Sequence, residues 1–271
     1  MEFAKKDVYT MEDLLGIMEI LRSENGCPWD REQTHESIKP NFVEEVYEVV
    51  EAIDKKSDDM LKEELGDVLL QVVFHAQMAK EEGRFDIDDV TSGICKKLIL
   101  RHPHIFGDAV ADTSEQVLKN WDEIKKVKKG QKTTTDAMRS VTAAFPALMR
   151  AQKIQKKAKK VGFDWNDYEG ALSKLAEEIG EVRQAAQQGD GEHIEEEVGD
   201  MFFAMVNIAR FFDVDAELAL QKACEKFINR FFYVENNAQV CYSKKIEELT
   251  LDEADFLWEE CKKRERRVER K

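Results

Sequence analysis

The sequence predicts an all-α protein made of two tandem helical-bundle modules, and three observations carry that expectation. Apolar residues recur at helical spacing within Glu-, Lys- and Ala-rich stretches. Turn signals are sparse, with four prolines and 13 glycines in 271 residues. One acid-rich pattern occurs twice, and a chain of this length accommodates two domains of ordinary size.

In chain order, Trp29 and Trp165 each precede a helical stretch in comparable contexts, CPWD and GFDW, and read as core anchors with neighbouring Asp caps. Phe42, Val46, Val49 and Ile53 follow at spacings of four, three and four, as do Leu61, Leu65, Val68 and Val72. Ile194, Val198, Met201 and Met205 repeat the rhythm in the second half, and all three stripes are expected to face the core. The polar run KKGQKTTTDAMR at 128–139 reads as a connector. The expected modules are therefore residues 1–127 and 144–271, with a linker at 128–143. Lys153, Lys156, Lys157, Lys159 and Lys160 read as a solvated helix end before Gly162, and KKRERRVERK at the C-terminus as a helical tail. Phe202, Phe211 and Phe231 are expected in the core.

A net charge of −15 opposes a protein that coats nucleic acid, because such a surface must be basic to displace counterions. Five cysteines without CxxC spacing suggest neither a disulfide framework nor a zinc site. A reducing cytoplasm is expected. No apolar run has the length that crosses a bilayer, so no membrane partner is expected.

The repeat carries the chemistry. EEVYE at 44–48 recurs as EEIGE at 177–181, and EELGD at 63–67 as EEVGD at 196–200; Glu45 maps to Glu178 and Asp67 to Asp200, a shift of 133 in both cases. KLILR at 97–101 is echoed by KFINR at 226–230, and WDEIKK at 121–126 by WEECKK at 258–263. Residues three apart on a helix are surface neighbours, so each ExxE or ExxD sets two carboxylates side by side. Two such helices packed together converge four acids, which repel unless a cation sits among them. Hard divalent ions take such oxygens, and magnesium, with manganese as a substitute, is the expected ion. Di-iron bundles pair Glu with a His three residues on; here the second motif ends in Asp67 and Asp200. Magnesium on a few carboxylates is the usual partner of substrate phosphates, which points to a nucleotide. Gly66 and Gly199, mid-helix beside these aspartates, suggest either a close approach by a neighbour or plain helix packing.

These pairs, together with GCPWD at 26–30, QTH at 33–35, RHPHIF at 101–106, AQKIQ at 151–155 and VGFDW at 161–165, resemble the MazG nucleoside triphosphate pyrophosphohydrolases over nearly the whole chain. The resemblance implies the all-α NTP pyrophosphatase fold, a homodimer, and hydrolysis of nucleoside triphosphates to monophosphate and pyrophosphate. It places the magnesium ligands, and the catalytic acids, on Glu178, Glu181, Glu197 and Asp200, with Glu45, Glu48, Glu64 and Asp67 as the N-terminal equivalents. Nucleotide contacts are implied around Lys174 to Glu178, His193 to Glu196 with Asp200, and at Lys226, Arg230 and Trp258. Lys97, Arg101 and Trp121 are the N-terminal counterparts of the last three.

The expected reaction is attack of water on phosphorus with loss of pyrophosphate, one glutamate serving as general base. Lys226 and Arg230, four apart, would hold the phosphate tail, and Trp258 would stack on the base with broad base tolerance. The rival readings are a catalytically silent nucleotide-binding regulatory scaffold, which has no need of two complete acid quartets, and a di-iron protein, which lacks its histidines. His102 and His104, without a third partner, read as structural or surface groups.

Overall fold

The computed structural model describes residues 5–117, 120, 121, 124 and 133–268, and every regular element among them is a helix. The chain divides into two compact units, residues 1–124 and 125–271. Residues 128–132 of the expected linker lie outside the described residues. Its following residues form a short helix, Thr134–Arg139, entered through a capping box between Thr133 and Asp136.

In the first unit, α1 (Met11–Arg22) starts at a Thr10–Asp13 capping box, and α2 (Pro28–Glu32) starts on a proline, whose missing N–H costs nothing in a first turn. Between them Gly26 allows the Cys27 amide to reach the Leu21 carbonyl at 2.8 Å; a β-carbon there would sit 2.2 Å from that oxygen. The long pair α3 (Lys39–Asp54) and α4 (Asp58–Glu81) is joined by three residues and packs side by side. A short joint of this kind makes neighbouring helices antiparallel. The helices α5 (Ile87–Arg101) and α6 (Pro103–Phe106) follow. The core is Met18, Ile38, Val73, Phe74 and Met78. Arg22 ties α1 to the end of α4 through Glu81 at 2.8 Å.

The second unit repeats this plan. After α7 (Thr134–Arg139) come α8 (Ala147–Lys159), α9 (Tyr168–Gln188), α10 (Gly191–Phe211), α11 (Ala216–Tyr242), a 3-10 turn at Ile246–Glu248 and α12 (Leu251–Val268). Gly189, at φ 71°, closes α9 in the left-handed conformation, and Asp190 caps α10, so α9 and α10 form the counterpart of the α3–α4 pair. Helix α8 packs across α10 and α11. Gln152 on α8 is buried with both ends of its amide satisfied, donating to the Val214 carbonyl at 2.7 Å and accepting from the Ala216 amide at 3.3 Å. All five cysteines are free thiols, and no described helix is long and apolar enough to cross a membrane.

The apolar stripes correct the expectation that they all face the core of their own unit. Val46 and Leu65 are 46% and 51% exposed, and Ile53, Met205, Phe202 and Phe231 are exposed as well. The buried side of α4 is instead the one bearing Val73, Phe74 and Met78. Periodicity identifies residues that avoid water without saying whether the same chain covers them. Nor does a neighbour crowd Gly66 or Gly199, since a β-carbon at either would meet nothing within 4 Å among the described residues.

Candidate metal and nucleotide site

Both copies of the repeat bring acids together. Glu178 on α9 meets Glu197 and Asp200 on α10 with one carboxylate oxygen from each within 4.8 Å of the others, and Glu45 and Glu48 on α3 meet Glu64 on α4 in the same way. The antiparallel pairing of each helix couple turns two i,i+3 acid pairs toward each other. Glu181 hydrogen-bonds to Glu178, and Asp67 lies near enough to Glu45 to repel its charge.

The C-terminal cluster is the more built. Glu178 is 3% exposed, and the Lys174 ammonium, one turn earlier, bridges it and Glu177 at 2.7 Å each. That contact holds the Glu178 carboxyl below the ordinary range, while the Glu178–Glu181 hydrogen bond and burial raise Glu181. His193 Nε2 lies 2.9 Å from Glu197, and Glu196 is exposed on the same helix. In the N-terminal cluster, burial and then the charges of neighbouring acids raise Glu45 and Glu64.

The donor set fits a hard divalent ion. Three carboxylates converge in each cluster, and no histidine joins either group among the described residues.

A cavity of about 650 Å³ opens beside the C-terminal acids, with Lys174, Glu178 and Asp200 on its wall. It is also lined by Gln155, Asp164, Trp165, Phe203, Asn207 and Arg210. Arg210, almost wholly buried, holds Asp164 with two hydrogen bonds, at 3.0 and 2.5 Å, and donates from Nε to Asn207 Oδ1 at 2.7 Å. Trp165 packs on Gly170, where a β-carbon would come within 2.4 Å of the indole. Gln155 donates from Nε2 to the Phe203 carbonyl at 2.8 Å, and its Oε1 is buried without a partner among the described residues. An unmet buried acceptor costs about 1–3 kcal/mol.

Lys226, Arg230 and Trp258 do not line this cavity. Arg230 forks onto Glu265 of α12, with its closest contact at 2.6 Å, and lies 5.7 Å above the Trp258 ring, which packs on Phe227 at 5.1 Å. In the first unit Trp121 meets the edge of His102 at 4.9 Å, and its indole nitrogen is buried without a partner among the described residues. Sequence reasoning missed Gln155, Asn207 and Arg210. The signal was the interruption of an apolar helical run, AMVNIARFF at 204–212, by an Asn and an Arg one turn apart.

The model of the MazG nucleotide pyrophosphohydrolase domain matches residues 33–106 and again 166–234. The chain is similar to the nucleoside triphosphate pyrophosphohydrolase/pyrophosphatase MazG of Thermotoga maritima, 49% identical over 93% of this chain and 95% of that one. It is also similar to the nucleoside triphosphate pyrophosphohydrolase of Escherichia coli K12, 46% identical over 94% of this chain and 98% of that one. An uncharacterized Bacillus subtilis protein, YabN, is 45% identical over 93% of this chain, which spans 51% of it. With two matched domains, duplicated acid clusters and full-length relatives, the chain belongs to the MazG family.

Proposed function

We propose that this protein hydrolyses nucleoside triphosphates at the α–β linkage, releasing nucleoside monophosphate and pyrophosphate, and that the chemistry runs in the C-terminal unit. The observation that carries this reading is the opening of a nucleotide-sized cavity directly onto Lys174, Glu178 and Asp200. The corresponding site in the first unit has only about 120 Å³ beside Trp29 and Phe74. Relatives over nearly the full length carry the name of this activity.

Glu178, Glu181, Glu197 and Asp200 would hold magnesium, with manganese as a substitute, and Glu45, Glu48, Glu64 and Asp67 a second ion set in the first unit. A divalent ion supplies Lewis acidity and neutralises triphosphate charge. Lys174 keeps Glu178 ionised through their contact. One of these glutamates accepts the proton of the attacking water. His193 orients Glu197 through Nε2. Glu196, on the outer side of α10, belongs to the nucleotide contacts the family resemblance assigns. Lys226 and Arg230 remain the cations proposed for the phosphate tail, with Trp258 seating Arg230.

The apolar residues left uncovered on α3, α4, α10 and α11 favour a homodimer, because a single chain rarely leaves so much large apolar surface in water. Five free thiols suit the reducing cytoplasm. Product analysis with each of the four common NTPs, with and without magnesium, tests the function. Monophosphate plus pyrophosphate only with the metal supports it; diphosphate plus orthophosphate places cleavage at the wrong bond; binding without turnover returns the silent scaffold.

A further inference from the structure

We infer that Glu265, on the C-terminal helix α12, is a positioning residue: it fixes the Arg230 guanidinium so that one two-donor edge stays open for the triphosphate tail. This rests on the reading of Lys226 and Arg230 as the cations of that tail.

A guanidinium carries five N–H donors in a rigid plane, and which of them a phosphate can meet depends on what holds the others. Glu265 takes one edge of Arg230. Nε donates to Oε2 at 3.0 Å and to Oε1 at 3.3 Å, and the second terminal nitrogen, Nη2, donates to Oε2 at 2.6 Å. Trp258 takes one face, with its ring centroid 5.7 Å from the guanidinium carbon, and is itself packed on Phe227. A group held along one edge and on one face no longer turns about its side-chain bonds. Nη1 makes no hydrogen bond among the described residues, so the Nη1–Nη2 edge keeps its outward donors. Two parallel N–H groups of this kind match two oxygens of one phosphate. Their orientation is set before the ligand arrives, which lowers the cost of ordering on binding.

The helix and the charge both suit this role. Trp258, Cys261 and Glu265 recur at i, i+3 and i+7, so a single face of α12 brings the ring and the carboxylate to Arg230. The contact with Arg230 holds the Glu265 carboxyl below the ordinary range, and the charge of Lys226 acts in the same sense, so the orienting group is ionised at neutral pH.

The repeat supplies a contrast in the sequence. At the shift of 137 that aligns Trp258 with Trp121, Glu265 corresponds to Lys128. Arg101 and Trp121, the counterparts of Arg230 and Trp258, are kept in the first copy. The carboxylate is replaced there by a cation, which repels an arginine. The orienting acid belongs to the copy in which the chemistry is proposed to run.

Calorimetric titration of the full chain in magnesium tests the role, with inorganic pyrophosphate and AMP as separate probes. Pyrophosphate reports on the tail, and AMP on the rest of the site. Glu265→Gln should weaken pyrophosphate about tenfold, about 1.4 kcal/mol, and leave AMP within about twofold. With ATP, KM should rise by a similar factor while kcat stays nearly constant, because the tail is held in both the ground state and the transition state. A purely structural role for Glu265 would weaken both probes together. Lysine cannot be held as a fork, so adding Glu265→Gln to Arg230→Lys should cost little further pyrophosphate affinity. Unchanged or tighter pyrophosphate binding by Glu265→Gln, or equal weakening of AMP, overturns the positioning role. Arg230→Ala separates this from failure of the tail reading. If it weakens pyrophosphate and Glu265→Gln does not, the tail reading stands and the positioning role falls. No pyrophosphate binding by wild type, or binding that Arg230→Ala leaves unchanged, removes the tail reading and the positioning role with it.

Discussion

Arg210 donates from Nε to Asn207 Oδ1 at 2.7 Å while its terminal nitrogens clasp Asp164, so one buried guanidinium sets both the VGFDW loop and an amide on α10. Arg210 is 4% exposed, and it is the cation that pairs with Asp164 among the described residues. Removing one partner from a buried ion pair strands the other charge, which costs about 3–5 kcal/mol. Asp164→Asn should lower unfolding stability by about that amount, read by urea denaturation. A change below about 1 kcal/mol would show that the pair is solvated in the folded protein.

The two acid clusters should respond differently to the same substitution. Glu178→Gln removes the most buried acid of the C-terminal cluster and leaves Lys174 with Glu177 as its near partner. Turnover should fall more than about 100-fold, the loss that even supporting groups of metal sites can produce. Glu45→Gln, at the equivalent position of the first unit, should leave most of the rate. Steady-state release of pyrophosphate measures both, and equal losses would move the chemistry to both units.

A histidine pair gives the first unit a pH dependence. Arg84 can only donate to His35 Nε2, at 2.5 Å, which puts the His35 proton on Nδ1 and directs it to His75 Nδ1 at 2.7 Å. Phe42 covers His75, and Glu82 pairs with Arg84. Burial, then the charge of His35, lowers the pKa of His75 from its ordinary 6.5. A lowered folded pKa means that the unfolded chain binds the proton more tightly. The contribution to stability is therefore complete above about pH 6.5 and is lost as pH falls toward the folded value. Melting temperature should drop between pH 7.5 and 5.5, and His75→Gln should flatten that slope; an unchanged slope would locate the sensitivity elsewhere.

Ile228 and Phe232, one turn apart on α11, are 55% and 63% exposed. In water such a pair would be left uncovered in a monomer, so the full chain should sediment at twice its mass of 31.3 kDa. Replacing both with Glu should shift the population toward monomer while leaving the helical circular dichroism intact. A wild-type monomer at micromolar concentration would refute the dimer.

The sequence by itself determined the helical class, the duplication and the pairing of acids along each motif helix. These are properties of a single helix: the 3.6-residue period places Glu178 beside Glu181 and Glu197 beside Asp200 wherever the helices pack. Only the tertiary structure decided which faces are covered, leaving Val46 and Leu65 exposed while Val73 and Phe74 enter the core. It also decided that Gln155, Asp164, Asn207 and Arg210, from α8, a loop and α10, surround one cavity, and that Phe74 stands in the corresponding place of the first unit. A cavity is the volume left between helices after they pack. The periodicity of one helix cannot contain it, because it depends on the shapes of side chains that meet from distant parts of the chain.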